Sequence, residues 1–225
     1  MTNKRYGALL IIGGVLGLAL VAGAILLGSS EPDEATYDVP EQQDPSSGAS
    51  SVVKLEEFGD YQCPPCAQLH PTLKQLKQEF GPRLNFVFRN LPLSELHKNA
   101  LAAAQAAEAA RMQNRFWEMH DMLYENQDLW KDDKTPNSTF VKFATDLGLD
   151  RARFERDFDS DQVRFRIEAD RDAAVRLGIE STPAILINGR KLRPEATNPD
   201  GIRKGIDLML APQRENSAAP SPVQP

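Results

Sequence analysis

The chain has 225 residues, a formal net charge of −6, 26% charged residues and two cysteines. That length supplies one well-cored domain with extensions, or two very small domains. Apart from Lys4 and Arg5 no basic cluster stands out, so nucleic-acid binding, which needs a concentrated positive face, has little support. Phosphate-cradling loops are not indicated either, because no G-x-x-x-x-G-K-[S/T] or G-x-G-x-x-G run occurs.

Residues 7–28 are all apolar or glycine, without charge or proline, about the length of a membrane-spanning helix. Lys4 and Arg5 precede them, while Glu31, Asp33 and Glu34 follow. Basic residues stay on the cytoplasmic side, so residues 1–6 are expected inside and everything after Ser29 outside. A cleaved signal peptide is the rival reading, with Ala22-Gly23-Ala24 as a small-x-small site. Its apolar core is usually shorter, and here Ile25, Leu26 and Leu27 follow that site directly. Either way the domain is exported. Residues 29–50 are rich in Pro, Ser, Asp, Glu and Gln and read as a flexible tether. Residues 212–225 read as a disordered tail, which leaves a folded domain at about 51–211.

Within that domain, residues 52–58 read as a strand and Gly59-Asp60-Tyr61-Gln62 as a turn into Cys63-Pro64-Pro65-Cys66. Proline is tolerated in a helix's first turn. A helix is therefore predicted to run to Phe80, burying Leu69, Leu73, Leu76 and Phe80, with Pro71 kinking it. Residues 84–88 read as a second strand. Helices follow at 94–112, 114–126, 138–147, 151–158 and 161–177. Thr182-Pro183 leads into a short apolar strand at 184–187; Asn188-Gly189 is a strong hairpin signal returning through 191–193, and a helix closes the domain at 198–210. Strands sharing a sheet with helices packed on it make an α/β domain.

Both cysteines lie in the one C-x-x-C. Structural staples join distant parts of a chain, and so short a loop constrains the unfolded state little. Reactivity explains the pair better. Disulfides exchange by thiolate attack, and a cysteine where a helix begins is stabilised as an anion by the helix dipole and unpaired N–H groups. Cys63 is then the nucleophile, and Cys66, one turn inward, the resolving thiol. The proton of Cys66 needs an acceptor. Glu57, pointing inward, would be a buried carboxylate beneath the cysteines with a raised pKa, and Glu56 would be solvated. Strand parity alone leaves open which of the two points in.

The run 55–66, Leu-Glu-Glu-Phe-Gly-Asp-Tyr-Gln-Cys-Pro-Pro-Cys, resembles the active-site segment of the DsbA-like thiol–disulfide oxidoreductases of the thioredoxin superfamily. Further matches lie in Phe116-Trp117-Glu118-Met119-His120-Asp121 and Gly178-Ile179-Glu180-Ser181-Thr182-Pro183-Ala184, and the similarity extends over about 52–211. The resemblance implies a thioredoxin fold with a helical insertion at about 94–177. It also implies that Thr182-Pro183 is a cis bond facing the cysteines and binding substrate, and that Glu57 is the family's buried acid. The dipeptide Pro64-Pro65 departs from the Pro-His of strongly oxidising members and the Gly-Pro of reducing thioredoxins, so redox direction stays open.

Plainer readings compete. Zinc held by the cysteines lacks a second half-site, since His70, His97 and His120 are not suitably spaced; each histidine is expected on a solvated helix face. Phe116, Trp117, Met119, Met122 and Leu123 are expected to pack the inserted helices, or in part to line a client groove. A dithiol holding copper as an exported metal chaperone is the binding alternative. The exchange reading expects no cofactor, exported proteins with cysteines as substrates, and a membrane redox partner. That partner is a quinone-linked reoxidase for an oxidant, or an electron donor for a reductase or isomerase.

The topology is testable. Protease added to cells with a permeabilised outer layer should digest the domain, and the chain should stay with membranes through alkaline washing. A soluble species beginning near Ile25 would show cleavage instead.

Overall fold

The computed structural model describes residues 53–210; the 7–28 segment, the tether and the tail lie outside the described residues. Strand β1 (Val53–Gly59) is buried at nearly every position instead of alternating, as a strand covered on both faces must be. It pairs in parallel with β2 (Leu84–Asn90), setting Val53 opposite Leu84 and Gly59 opposite Asn90. On its other edge it pairs antiparallel with β3 (Ala184–Ile187), setting Leu55 opposite Ile187 and Phe58 opposite Ala184. With β4 (Arg190–Lys191) the sheet order is β2-β1-β3-β4. Asn188 and Gly189 join β3 to β4 with φ of 49° and 75°, both positive as a type I′ turn requires. Asn188 also fastens the hairpin to β1, its Oδ1 accepting the Lys54 N–H at 2.8 Å. The return strand stops at Lys191, short of the expected 193. A 3₁₀ turn begins at Pro194, whose ring removes the N–H a ladder needs.

Helix α1 (Pro64–Phe80) carries Pro64 and Pro65 in its first turn and ends at Gly81, with φ of 51°. Its buried side chains are Leu69, Leu73, Leu76 and Phe80, together with Cys66 and His70. Between β2 and β3 come α2 (Ala100–Arg111), α3 (Phe116–Glu125), α4 (Gln127–Trp130), α5 (Asn137–Asp146), α6 (Arg151–Phe158) and α7 (Asp161–Arg176), and α8 (Pro199–Leu210) closes the domain. Asp150 and Ser160 cap α6 and α7 by accepting the N–H of Arg153 and Val163. The helix expected from residue 94 begins only at Ala100, because the preceding turn is held by the Asp60 carboxylate, which accepts the Leu93 N–H at 2.9 Å. The short α4 was not anticipated; four residues carry no periodicity. It places Trp130 in the core, where the indole N–H donates to the Leu123 carbonyl at 3.0 Å. Among the described residues no helix is long and apolar enough to cross a membrane.

Two apolar clusters result. One fills the space between the sheet and helices α1 and α8, through Leu55, Leu73, Phe86, Ile187, Ile202 and Ile206. The other belongs to the helical block, where the small alanines of α2 pack with Met119, Leu123, Phe140 and Phe154. Cys63, Cys66 and Tyr61 belong to this second cluster. Phe116, Met119 and Leu123 are buried in it, and Trp117 and Met122 lie at its edge. Glu56 corrects the expectation of a solvated side chain. It is 6% exposed, and Arg89 Nε donates to its Oε1 at 3.0 Å while Arg89 Nη1 donates to Asp170 Oδ1 at 3.2 Å. A covered sheet has no solvent face to offer, so this carboxylate is buried with a cation.

Gly59 ends β1 where the backbone passes under two rings. A Cβ there would stand 2.4 Å from Phe88 Cε2 and 2.9 Å from the Tyr124 hydroxyl. Gly59→Ala should destabilise the domain by about 1–3 kcal/mol through overpacking, read as a lower urea midpoint with an unchanged slope.

Candidate active site

The dithiol motif sits where β1 hands the chain to α1. Cys63 is the N-cap of α1. Because Pro64 and Pro65 carry no N–H and the Ala67 N–H bonds the Cys63 carbonyl, the Cys66 N–H is the first-turn donor to the Cys63 sulfur, beside the positive end of the helix dipole. Cys63 keeps 4% of its surface accessible and Cys66 none. The Thr182–Pro183 peptide bond is cis, and the Cys63 thiol donates to the Thr182 carbonyl at 3.5 Å. Residues 119 positions apart thereby meet at one sulfur. Glu57, in β1, is 1% exposed and its Oε1 has no hydrogen-bond partner. The structure thus brings together Cys63, Cys66, Glu57, Thr182 and Pro183.

The environment divides the two thiols. Hydrogen bonding from the Cys66 thiol, then from Thr182 and the Cys66 N–H, lowers the Cys63 pKa from 9.0 to about 6, against opposition from burial and from Asp60. Burial, then the bond to Cys63, then the Glu57 charge push the Cys66 thiol well above its ordinary value. Burial and the Cys63 charge raise Glu57 from 4.5 to about 8. At neutral pH the site therefore holds one thiolate, one thiol and one protonated carboxyl group.

A polar lattice that the sequence reading missed fixes the turn before Cys63. Asp60 is 1% exposed; its Oδ1 accepts the Gln62 N–H at 2.7 Å, and its Oδ2 accepts from Leu93 N and faces His97 Nδ1 at 2.8 Å. Gln62 Oε1 accepts the Asn99 N–H at 2.7 Å, while its Nε2 donates to the Lys131 carbonyl at 2.7 Å. Gln127 Nε2 donates to the Tyr61 carbonyl at 2.8 Å. The signal available in the sequence was only four consecutive turn residues, and their partners lie 33 to 69 positions away.

The histidines correct the expectation of solvated helix faces. His120 is 2% exposed and His70 5% exposed, packed among the rings of Tyr61, Phe88 and Tyr124. His120 Nδ1 lies 3.1 Å from the Tyr61 hydroxyl. His97 is partly covered by its contact with Asp60. In each case a neighbouring element covers the face, a fact that helical periodicity in a single segment does not carry.

A four-stranded sheet with a dithiol at a helix start facing a cis-proline defines the thioredoxin class of protein. The chain belongs to the thioredoxin family, whose model, described as thioredoxin, matches residues 43–208, and its fold is that of the DsbA-like thiol–disulfide oxidoreductases. Among solved structures it is similar to oxidised BdbD from Bacillus subtilis, with a TM-score of 0.65 and 22% identity over 73% of this chain and 90% of that one. It is also similar to the thiol-disulfide exchange protein α-DsbA2 from Wolbachia pipientis, with a TM-score of 0.63 and 23% identity over 73% and 85% of the two chains. A curated relative, Na(+)/H(+) antiporter NhaA 3 of Salinispora tropica, is 34% identical over 168 residues, which is 74% of this chain and 25% of the antiporter. The chain thus spans about a quarter of the length of that relative.

The division between the thiols predicts a pH profile. A depressed pKa makes thiolate stabilisation complete above about 9 and lost as pH falls through about 6. Alkylation of Cys63 in the reduced protein should therefore rise through a midpoint near pH 6 and be nearly level by pH 8. At pH 7 a thiolate of that pKa favours the reduced form about tenfold over an ordinary thiol, worth about 30 mV for a two-electron couple. Glu57→Gln should leave this midpoint within about half a unit while slowing resolution by Cys66 at least about tenfold, measured by quenched-flow of a mixed disulfide.

Proposed function

We propose that this chain is a membrane-tethered thiol–disulfide oxidoreductase that introduces disulfides into exported proteins. The observation that carries the reading is the sulfur of Cys63, at a helix start with its pKa lowered to about 6, in contact with the carbonyl before the cis proline. In the oxidising direction a client thiolate attacks Cys63 in the Cys63–Cys66 disulfide. A client–Cys63 bond forms, the Cys63–Cys66 bond breaks, and Cys66 leaves as a thiolate. Protonated Glu57, buried with one oxygen uncommitted, supplies its proton. A second client thiolate then attacks the client sulfur, releases Cys63 as its stable thiolate, and completes the client disulfide. Two client thiols are oxidised and the Cys63–Cys66 pair is reduced.

Clients would bind through backbone beside the cis bond, since an extended peptide can pair with the segment at Thr182. A cavity of about 460 Å³ next to it, lined by Pro65, Leu69, Thr72, Pro183 and Leu192 among others, has room for a client side chain. The low Cys63 pKa supports the oxidant over a reductase or isomerase, because a stable thiolate favours the reduced enzyme and makes its disulfide a better donor. Regeneration then falls to a membrane partner that takes up two electrons. The apolar 7–28 segment and its flanking charges support a cytoplasmic N-terminus, a single span and a domain outside the cytoplasm.

Cys66→Ala should accumulate mixed disulfides with exported proteins, since attack survives and resolution does not. Cys63→Ala should form none and lose exchange. Non-reducing gels after acid quenching, with adducts identified by mass, read the difference. Adducts on Cys63→Ala would reverse the roles. Absence of adducts from both, with copper retained by the purified pair, would replace exchange with metal binding.

A further inference from the structure

Between α1 and α3 lies a cavity of about 170 Å³ walled by His70, Lys74, Lys77, Trp117, His120 and Asp121. The Nε2 of His70 is buried without a hydrogen-bond partner. On His120 the Tyr61 hydroxyl occupies Nδ1 at 3.1 Å, which leaves the other ring nitrogen for a ligand. Asp121 divides its two oxygens: Oδ2 takes the Lys74 ammonium at 2.7 Å, and Oδ1 stands 3.5 Å from His70 Nε2. One ligand atom from each of His70, His120 and Asp121 lies within 4.8 Å of the others.

We propose that His70, His120 and Asp121 form a zinc site, with water in the fourth position. Zinc bonds imidazole nitrogen and carboxylate oxygen at about 2.0–2.2 Å in tetrahedral geometry. Two such ligands stand about 3.4 Å apart, since a tetrahedral edge is about 1.6 times the bond length. The His70–Asp121 separation of 3.5 Å is close to that edge, and the His120 nitrogen, within 4.8 Å of the other two, would close toward it on loading. The contacts behind the ligands are those a metal centre uses to hold its donors in place: a hydroxyl on the distal nitrogen of one imidazole and a cation on the second carboxylate oxygen. Lys74 and Lys77 oppose a dication at the rim, and Asp121 and Glu125 offset them; Lys74 also pairs with Glu125 Oε1 at 2.7 Å. His70 stands one helical turn past Cys66, so an ion here pins the helix bearing the dithiol to α3, independently of whether the thiols exchange.

The test uses the full-length, tag-free chain in mild detergent, oxidised so that Cys63 and Cys66 are joined and cannot compete for zinc. Calorimetric titration with Zn²⁺ should give one site per chain, and the melting temperature should rise with free zinc. Asp121→Asn and His70→Gln should each weaken binding at least tenfold and abolish the thermal shift. Asp121 is partly exposed, so its variant stays folded even if His70→Gln does not, and a melt without zinc checks both. No uptake by the oxidised chain would overturn the site. Uptake unchanged by Asp121→Asn would do the same.

Discussion

Two sulfur atoms separated by one helical turn must keep opposite protonation states, and most of what surrounds them follows from that requirement. Cys63 needs donors and an open face; Cys66 needs burial and none of the helix end's field. A helix start meets both demands at once, because the Cys66 N–H and the positive end of the helix dipole face the N-cap sulfur while the Cys66 side chain already lies inside the first turn. Pro64 and Pro65 occupy the positions between, where a missing N–H removes no helical bond. A further lowering of the Cys63 pKa comes from the side chain of Thr182, in the distant loop before β3; the carbonyl of the same residue accepts from the Cys63 thiol at 3.5 Å.

The helical block is what makes this arrangement rigid. Cys63 and Cys66 pack with Met119, Leu123 and the α2 alanines, in the block's core and not in the sheet's. The turn that presents Cys63 is tied to it by side chains, through Gln62 to Asn99 and Lys131 and through Gln127 to Tyr61. Asp60 performs two tasks in this lattice. It fixes the turn through bonds to Gln62, Leu93 and His97, and its charge opposes the Cys63 thiolate.

What could be read from the sequence was what is local. The helix bearing the dithiol, the Asn188-Gly189 turn and the order of strands and helices all follow from periodicity, glycine and proline within short windows. The candidate dithiol, and the proposed division of roles within it, follow from a spacing of three residues. What escaped was set by pairs far apart. Glu56 lies next to Glu57 in β1, yet both are buried; only the cover on the second face, contributed by Asp170 and its neighbours, makes that so. His70 and His120 stand on helices whose exposed-looking faces meet each other. Ala100 begins a helix expected six residues earlier because a carboxylate 33 positions upstream holds Leu93. Each failure is one of tertiary context overriding a local pattern.

The signs of the charge couplings set an order of events at the dithiol. Ionised Cys63 raises Glu57, and both ionised Cys63 and ionised Glu57 raise Cys66. The three groups therefore share about one negative charge, and whichever of them holds it keeps the other two protonated. In the resting dithiol that charge is on Cys63, the most solvent-accessible of the three and the one whose pKa hydrogen bonding lowers to about 6. In the proposed exchange, a Cys63 locked in a mixed disulfide would carry no charge, and the two buried groups would be relieved of its repulsion. Glu57 then loses its proton more readily than in the resting state, and Cys66 is the group beside it that can exchange one. When Cys63 is released as a thiolate, the repulsion returns and both buried groups are driven back to their protonated forms. In that proposed cycle, formation and loss of one covalent bond at the accessible sulfur would switch proton exchange on and off at the two groups buried behind it.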